Sequence, residues 1–346
     1  MKKLPKPIPI AIFGAKLILR HLDGLSGEIE GVRQGRDIEY IHRMRVASRR
    51  LRNALPVFIN ALPARKIIAW GQPIRRITRS LGAARDLDVQ LVSLQEFLNQ
   101  IHTTSQLVPG IRRLILRLDQ RRAKLQTRVL KTLAEFEASG TAADMHALLD
   151  PLAGLQDDQN PPAAELYDLA HSVISSRLVD FFSRSELIRD PVNILDLHAQ
   201  RIAAKHLRYT LELFAPLYPD ELKPSLNTCR KFQEQLGLLH DCDVWADYLP
   251  VFMEKEKQRT TWFYGRSDPF NLLVPGLLAF QADRAAARTR LYEEFIVDWD
   301  TALTKGLWES LSRTTAAPLI SRLIIYPPQP PSPDEADTPP APEVTP

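Results

Sequence analysis

Ile41-His42-Arg43-Met44-Arg45-Val46-Ala47-Ser48-Arg49-Arg50-Leu51-Arg52 returns, 156 residues later, as Leu197-His198-Ala199-Gln200-Arg201-Ile202-Ala203-Ala204-Lys205-His206-Leu207-Arg208. His42, Arg45, Arg49 and Arg52 follow one another at steps of three, four and three, and so do His198, Arg201, Lys205 and Arg208. At about 100° per residue, four such positions fall within roughly an 80° arc of one helix face. Met44, Ala47, Leu51, Leu55 and Phe58 lie on the other side and supply an apolar face to bury. No Asp or Glu interrupts either stripe, whereas a solvated helix face ordinarily mixes signs at four-residue spacing. Two helices with unbroken cationic stripes predict an all-α fold and a polyanionic ligand.

The repeat runs beyond the stripes. Leu81-Gly82-Ala83-Ala84-Arg85-Asp86-Leu87-Asp88-Val89 matches Leu236-Gly237-Leu238-Leu239-His240-Asp241-Cys242-Asp243-Val244, with Arg75-Arg76 and Arg230-Lys231 at matching places upstream. This argues for an internal duplication of a four-helix bundle, the two copies being related by a pseudo-twofold axis. The first repeat is expected over 10–150, a linker over 151–163, and the second repeat over 164–318. Within the first, helices are expected over 10–33 (broken by Gly31 and the Gln34-Gly35-Arg36-Asp37 turn), from the stripe to Phe58, and over 67–101, 111–138 and 142–149. Within the second they are expected over 164–184, 193–215, 221–256 and 274–305, with an irregular link over 259–269. Residues 327–346 hold nine prolines among acidic and small residues and read as a disordered tail.

A chain of 346 residues, 45% apolar and 25% charged, belongs to the globular class, and 14 glycines favour helix over strand. The net charge of +4 understates the basicity of the folded part. The four acids after Tyr326 account for −4, which leaves +8 for the rest. Cys229 and Cys242 make neither a disulfide framework nor a metal pattern, and they fit a reducing cytoplasm. No apolar run approaches a membrane span, and no membrane partner is expected. The basic, proline-interrupted start is a poor match to a secretory signal.

A linear polyphosphate bears about one negative charge per phosphate, and arginine forks can take two phosphate oxygens at once. Two facing stripes offer six permanent charges and two histidines to such a chain. Nucleic acid would use the same charges, but base readers usually add exposed aromatics, and none interleaves with the basic arc. His42 and His198 read either as ligand contacts or as helix residues hydrogen-bonded to a neighbour. Asp86, Asp88, Asp241 and Asp243 raise a metal-dependent phosphohydrolase as an alternative. However, residues two apart on a helix point about 200° apart, so each pair diverges. The simpler expectation is that these acids orient arginines, and that Gly82 and Gly237 admit close helix approach. Arg112, Arg113, Arg117, Arg121, Arg122 and Arg128, like Arg284, Arg288 and Arg290, are spread around their helices and read as surface residues. No Gly-rich phosphate loop, nucleophile elbow or His/Cys metal motif is present, so neither enzyme activity nor a cofactor or metal is expected.

Tyr40 to Arg52 and Leu197 to Tyr209 resemble the signature of the CHAD domain, the conserved-histidine α-helical domain, and so does the Leu-Gly-x-x-Arg-Asp-x-Asp-Val element at Leu81–Val89. His240 replaces the Arg of that element in the second copy, and His206 stands where the stripe pattern prefers Arg. The resemblance covers roughly 10–318. It implies two four-helix bundles about a basic central channel, binding of inorganic polyphosphate, and in bacteria association with polyphosphate granules. The implied ligand contacts are His42, Arg45, Arg49, Arg50, Arg52, His198, Arg201, Lys205 and Arg208, with Arg75, Arg79, Arg230 and Lys231 alongside. Some relatives are fused to a triphosphate-processing domain of the CYTH type; this chain is too short to hold one as well, which weakens an enzymatic reading.

Overall fold

The computed structural model describes residues 9–35, 37–155 and 162–325. Residues 156–161 of the expected linker and the whole 327–346 tail lie outside the described residues. The first half contains α1 (Pro9–Ser26), α2 (Ile29–Gln34), α3 (Ile38–Val57), α4 (Ala64–Gln100), α5 (Val108–Ala138) and α6 (Thr141–Ala153). The second contains α7 (Ala164–Phe182), α8 (Ile194–Phe214), α9 (Lys223–Tyr264), α10 (Val274–Thr304) and α11 (Leu307–Ile325). No strand occurs among the described residues, so the all-α expectation holds.

Local chemistry explains where the expected boundaries move. The first helix breaks at Gly27-Glu28, not at Gly31. Gly31 lies inside α2, where an added Cβ would sit 1.9 Å from the Tyr40 ring. Gly35, with φ 65°, ends α2, and the Asp37 carboxylate accepts a hydrogen bond from the Glu39 amide at 2.8 Å to start α3. The link expected over 259–269 is helix as far as Tyr264. Thr260 and Thr261 donate their hydroxyls back to the Glu256 and Lys257 carbonyls, at 2.7 and 3.0 Å, so this polar run stays satisfied within α9. Gly265, with φ 72°, then stops the helix. No helix is expected after 305, yet α11 forms and buries Trp308 against Phe181, with ring centroids 5.0 Å apart.

Helix pairing repeats in order. α1 packs on α3 and α6, as α7 packs on α8 and α11, and α3–α4–α5 is echoed by α8–α9–α10. The halves join through α3–α8, α1–α7 and α5–α10. The larger apolar cluster draws on both sides of the 151–163 segment, and Phe13 of α1 stacks on Phe214 at 6.5 Å. A smaller cluster takes Leu94, Phe97, Ile111 and Leu114 from the first half and Trp245, Leu249, Phe270 and Phe280 from the second. Burying each such side chain is worth about 1.5–3 kcal/mol. Beside this cluster the starts of α5 and α10 meet backbone to backbone. A Cβ on Gly110 would lie 2.2 Å from the Leu273 carbonyl oxygen, and one on Gly276 would lie 1.9 Å from that of Leu107.

Candidate functional site

The apolar faces of the two stripe helices set the direction of the cations. Met44, Leu51 and Leu55 of α3 and Phe58 just after it are buried, as are Ala204, Leu207, Leu211 and Phe214 of α8, while the stripe residues stay partly exposed. Because α3 packs against α8, the stripes come together instead of facing opposite sides. The Arg49 guanidinium lies 5.2 Å from the centre of the buried Tyr209 ring, and Arg208 approaches the same ring at 5.7 Å.

Crowding leaves an electrostatic mark on this cluster. Burial lowers the Arg49 pKa to about 10, with Arg45, Arg201 and Arg208 adding to the effect and the Tyr209 hydroxyl opposing it. Lys205 falls to about 8 through burial and through Arg49, Arg201, Arg45 and Arg52. Arg201 is lowered by burial and by Arg45, against the pull of Asp241 and Asp86, and Arg52 is lowered by burial, Arg75 and Arg79. Each stripe therefore penalises charge on the other, which means like charges lie near one another with too few counter-ions between them. Arg45 and Arg201 hold equivalent places, and the Nε of each is buried without a hydrogen-bond partner among the described residues. A buried donor left unmatched costs about 1–3 kcal/mol, so these two positions favour an acceptor.

The histidines sit at the edge of the cluster. His42 is lowered by burial and by Arg85, Arg45 and Arg49, with Glu39 opposing. His198 is lowered by burial, Arg201 and Lys205. Its Nδ1 lies 3.1 Å from Nδ1 of His240, so one neutral ring donates to the other. Burial and Arg201 bring His240 to about 4, and burial and Lys205 bring His206 to about 4.

Several of the expected contacts are already engaged. Glu212, one helical step beyond Arg208, accepts from Arg50 at 3.0 Å and from Arg208 at 2.9 Å, and approaches Arg230 at 3.9 Å. Three candidate cations thus share one shielded carboxylate. Lys231 pairs with Asp298 of α10 at 2.6 Å. Arg45 makes a longer contact to Asp86, at 3.5 Å. Arg75 and Arg79 are exposed and form no ion pair among the described residues.

Three of the four paired acids, Asp86, Asp88 and Asp243, meet arginines, and Asp241 forms no ion pair among the described residues. Buried Asp88 accepts from Arg122 of α5 at 2.6 Å, and buried Asp243 accepts from Arg288 of α10. Burial pushes the Asp241 carboxyl up to about 6, with Asp86 adding to the effect and Arg201 opposing it. No group of three or more His, Cys, Asp or Glu suited to a metal ion occurs among the described residues. The close helix approach expected at Gly82 and Gly237 is a correction. The nearest atom to a Cβ on Gly82 would be Arg45 Nε at 3.5 Å, so Gly82 makes room for a guanidinium, and Gly237 faces open space. The surface role expected for Arg113, Arg117, Arg122 and Arg288 is a second correction. Arg122 and Arg288 hold the buried aspartates, while Arg113 and Arg117, at 3.2 and 2.8 Å, and Arg259 converge on the fully buried Glu256.

The Glu212 hub, the His198–His240 pair and the Glu256 cluster were not visible beforehand. One signal was available: Leu-Val-Pro-Gly at 107–110 recurs at 273–276, and Arg122 and Arg288 are separated by the same interval. The matching stretches therefore extend to α5 and α10, at an interval 11 residues longer than that of the Leu-Gly elements.

A protein-family model described as "CHAD domain" matches residues 16–250, more than half of the chain. Among solved structures, the CHAD domain from the plant Ricinus communis is similar at a TM-score of 0.60 and 24% identity, covering 84% of this chain and 93% of that one. PptA from Streptomyces chartreusis is similar at a TM-score of 0.58 and 17% identity, covering 85% of this chain and 100% of that one. No curated protein matches the chain.

Proposed function

The chain belongs to the CHAD domain family, and from that premise we propose that it binds inorganic polyphosphate across the two stripes without transforming it. The observation that supports this reading is the meeting of Arg45, Arg49 and Arg52 with Arg201 and Lys205, crowded enough that the pKa values of Arg49, Arg52, Arg201 and Lys205 are lowered. A polyanion removes that penalty by replacing mutual repulsion with charge-assisted hydrogen bonds. Arg45 and Arg201 are partly exposed, so their guanidinium groups can turn toward phosphate oxygens. Arg52, Arg75 and Arg79 extend the positive surface along α3 and α4. Arg50, Arg208 and Arg230 act at one end, their charge moderated by Glu212.

A bare phosphate chain fits better than nucleic acid, because the aromatic ring at the cluster, Tyr209, is buried beneath Arg49 and Arg208 instead of presenting a face for base stacking. Binding without turnover fits the use of Asp88 and Asp243 as arginine partners. In a bacterial cytoplasm such a protein would associate with polyphosphate granules. Calorimetry or gel retardation with long-chain polyphosphate near physiological salt tests the reading, with RNA and DNA as competitors. Saturable binding that nucleic acid fails to displace is expected; no binding, or preferential displacement by nucleic acid, contradicts it.

A further inference from the structure

The two halves diverge between the Leu-Gly element and the Leu-Val-Pro-Gly turn. Leu81 and Leu107 are 26 positions apart, whereas Leu236 and Leu273 are 37 apart. Most of the surplus lengthens one helix: α9 runs 28 residues past Leu236 to Tyr264, while α4 stops 19 residues past Leu81 at Gln100. The extension ends in Trp262-Phe263-Tyr264, whose side chains are 86%, 71% and 60% exposed. Leu272, eight residues further on at the end of the Asp268–Leu272 turn, is 69% exposed. Three consecutive solvated aromatics are costly in a protein that buries Trp70, Trp245, Trp299 and Trp308.

We infer that this tip is an interfacial anchor that inserts into the surface of an anionic lipid bilayer. Successive helix positions turn by about 100°, so the three rings splay over roughly 200° around the end of α9. A groove on a protein covers one face of a helix and would leave at least one ring in water. A lipid interface surrounds the end and takes all three, and Trp and Tyr favour that depth because each combines an apolar ring with a polar handle. A second copy of this chain is a poor occupant. Three aromatics bury roughly 450–750 Å² even when fully covered, while a stable dimer needs about 800 Å² per partner presented on one surface.

Charge points the same way. Lys255, Lys257, Arg259 and Arg266 stand within two turns of the aromatics and are exposed. Glu256 is buried under Arg113, Arg117 and Arg259, and Asp268 is spent on Arg266 at 3.3 Å. Lys255 and Lys257 form no ion pair among the described residues and outnumber the exposed Glu254 beside them, which leaves a net positive charge for anionic headgroups. No helix among the described residues is long and apolar enough to cross a membrane, so the anchor is peripheral. The chain's lack of a long apolar run gives no sign of a membrane partner, but the exposed tip fits a bilayer surface.

Trp262 is the one exposed tryptophan, so intrinsic emission reports on the tip. The full chain is mixed with vesicles of phosphatidylcholine, with and without phosphatidylglycerol, and followed by emission and by flotation. A blue shift with acrylamide protection, greater with phosphatidylglycerol, is expected. Trp262→Ala/Phe263→Ala, checked for native helicity by circular dichroism, should float with a partition coefficient at least about tenfold lower. Arg45→Ala/Arg201→Ala should keep the emission shift, which separates the anchor from polyphosphate binding. The inference is overturned by an unshifted emission with phosphatidylglycerol vesicles at low salt, or by flotation indifferent to the tip substitutions. It is equally overturned by a concentration-dependent dimer that those substitutions abolish, or by a shift that only a single-stranded oligonucleotide produces.

Discussion

Replacing Gly276 by Ala should be among the most damaging single-methyl additions in this fold. The new Cβ would lie 1.9 Å from the Leu107 carbonyl oxygen, 2.9 Å from its carbon and 3.3 Å from its Cα. All three are backbone atoms, so no side-chain rotation relieves the clash. Carbon and oxygen in contact need roughly 3.2–3.4 Å, so α10 and the turn before α5 must part by more than 1 Å. That opens the smaller apolar cluster, in which Ile111, Leu114, Leu277 and Phe280 are packed at or near complete burial. Overpacking of this kind costs about 1–3 kcal/mol, and loosened core contacts add to it. A total of about 2–4 kcal/mol is expected, with Tm falling by several degrees. Gly110→Ala, facing the Leu273 oxygen at 2.2 Å, should behave alike. Because both act on one interface, the double variant should lose less than the sum of the singles. Gly71→Ala is the control. Nothing lies within 4 Å of its Cβ, and in the middle of α4 the change should be neutral or stabilise by about 0.5–1 kcal/mol. Urea and thermal unfolding followed by circular dichroism provide the assay. A Gly276→Ala variant within about 0.5 kcal/mol of wild type would refute the backbone-contact account.

Two further substitutions probe the cation cluster. Lys205 has a folded pKa of about 8, below its unfolded value, so the protonated form costs stability below about pH 8 and the cost fades as pH rises above that. Lys205→Met should therefore stabilise the free protein at pH 7 by on the order of 1–2 kcal/mol while weakening polyphosphate binding, a trade visible by comparing unfolding with calorimetry; a variant destabilised at pH 7 would count against the crowding argument. Glu212→Gln should release Arg50, Arg208 and Arg230 from their shared carboxylate. Stability should drop by about 1–3 kcal/mol, while polyphosphate affinity rises and its log–log salt slope steepens by about 0.7; unchanged salt dependence would show that Glu212 does not moderate the site.

Periodicity made the stripe helices legible, because a three-four-three spacing of cations and its apolar complement read alike in a sequence and on a helix surface. That acids of the Leu-Gly element hold arginines was also legible, but not which ones: Asp86 meets Arg45, Asp88 meets Arg122 and Asp243 meets Arg288, all on other helices. What stayed hidden depends on contacts across long intervals. Glu212 gathers Arg50 from 162 positions away, and Glu256 gathers Arg117 from 139. No local spacing announces such partners. The arginines of α5 and α10 were misread because a charge scattered around a helix looks solvated until the opposing helix supplies a buried acid. The polar Arg259-Thr260-Thr261 run looked like a loop because threonine hydroxyls that bond within the helix are indistinguishable in sequence from those that cap its end. The longer repeat interval concealed the matching Leu-Val-Pro-Gly turns and their glycine contact.

The central claim, that the two stripes act together on one phosphate chain, is tested most directly by the salt dependence of binding. Size-fractionated polyphosphate is titrated into wild type, each of Arg45→Ala and Arg201→Ala, and the double variant over a range of sodium chloride. Each lost phosphate contact should reduce the log–log salt slope by about 0.7 for a flexible single chain, so the double variant should be shallower by about 1.4. With charge-assisted hydrogen bonds worth about 1.5–3 kcal/mol each, its affinity should fall by at least about a hundredfold. A double variant that keeps wild-type affinity and slope, or a loss confined to one of the two substitutions, would contradict a shared site.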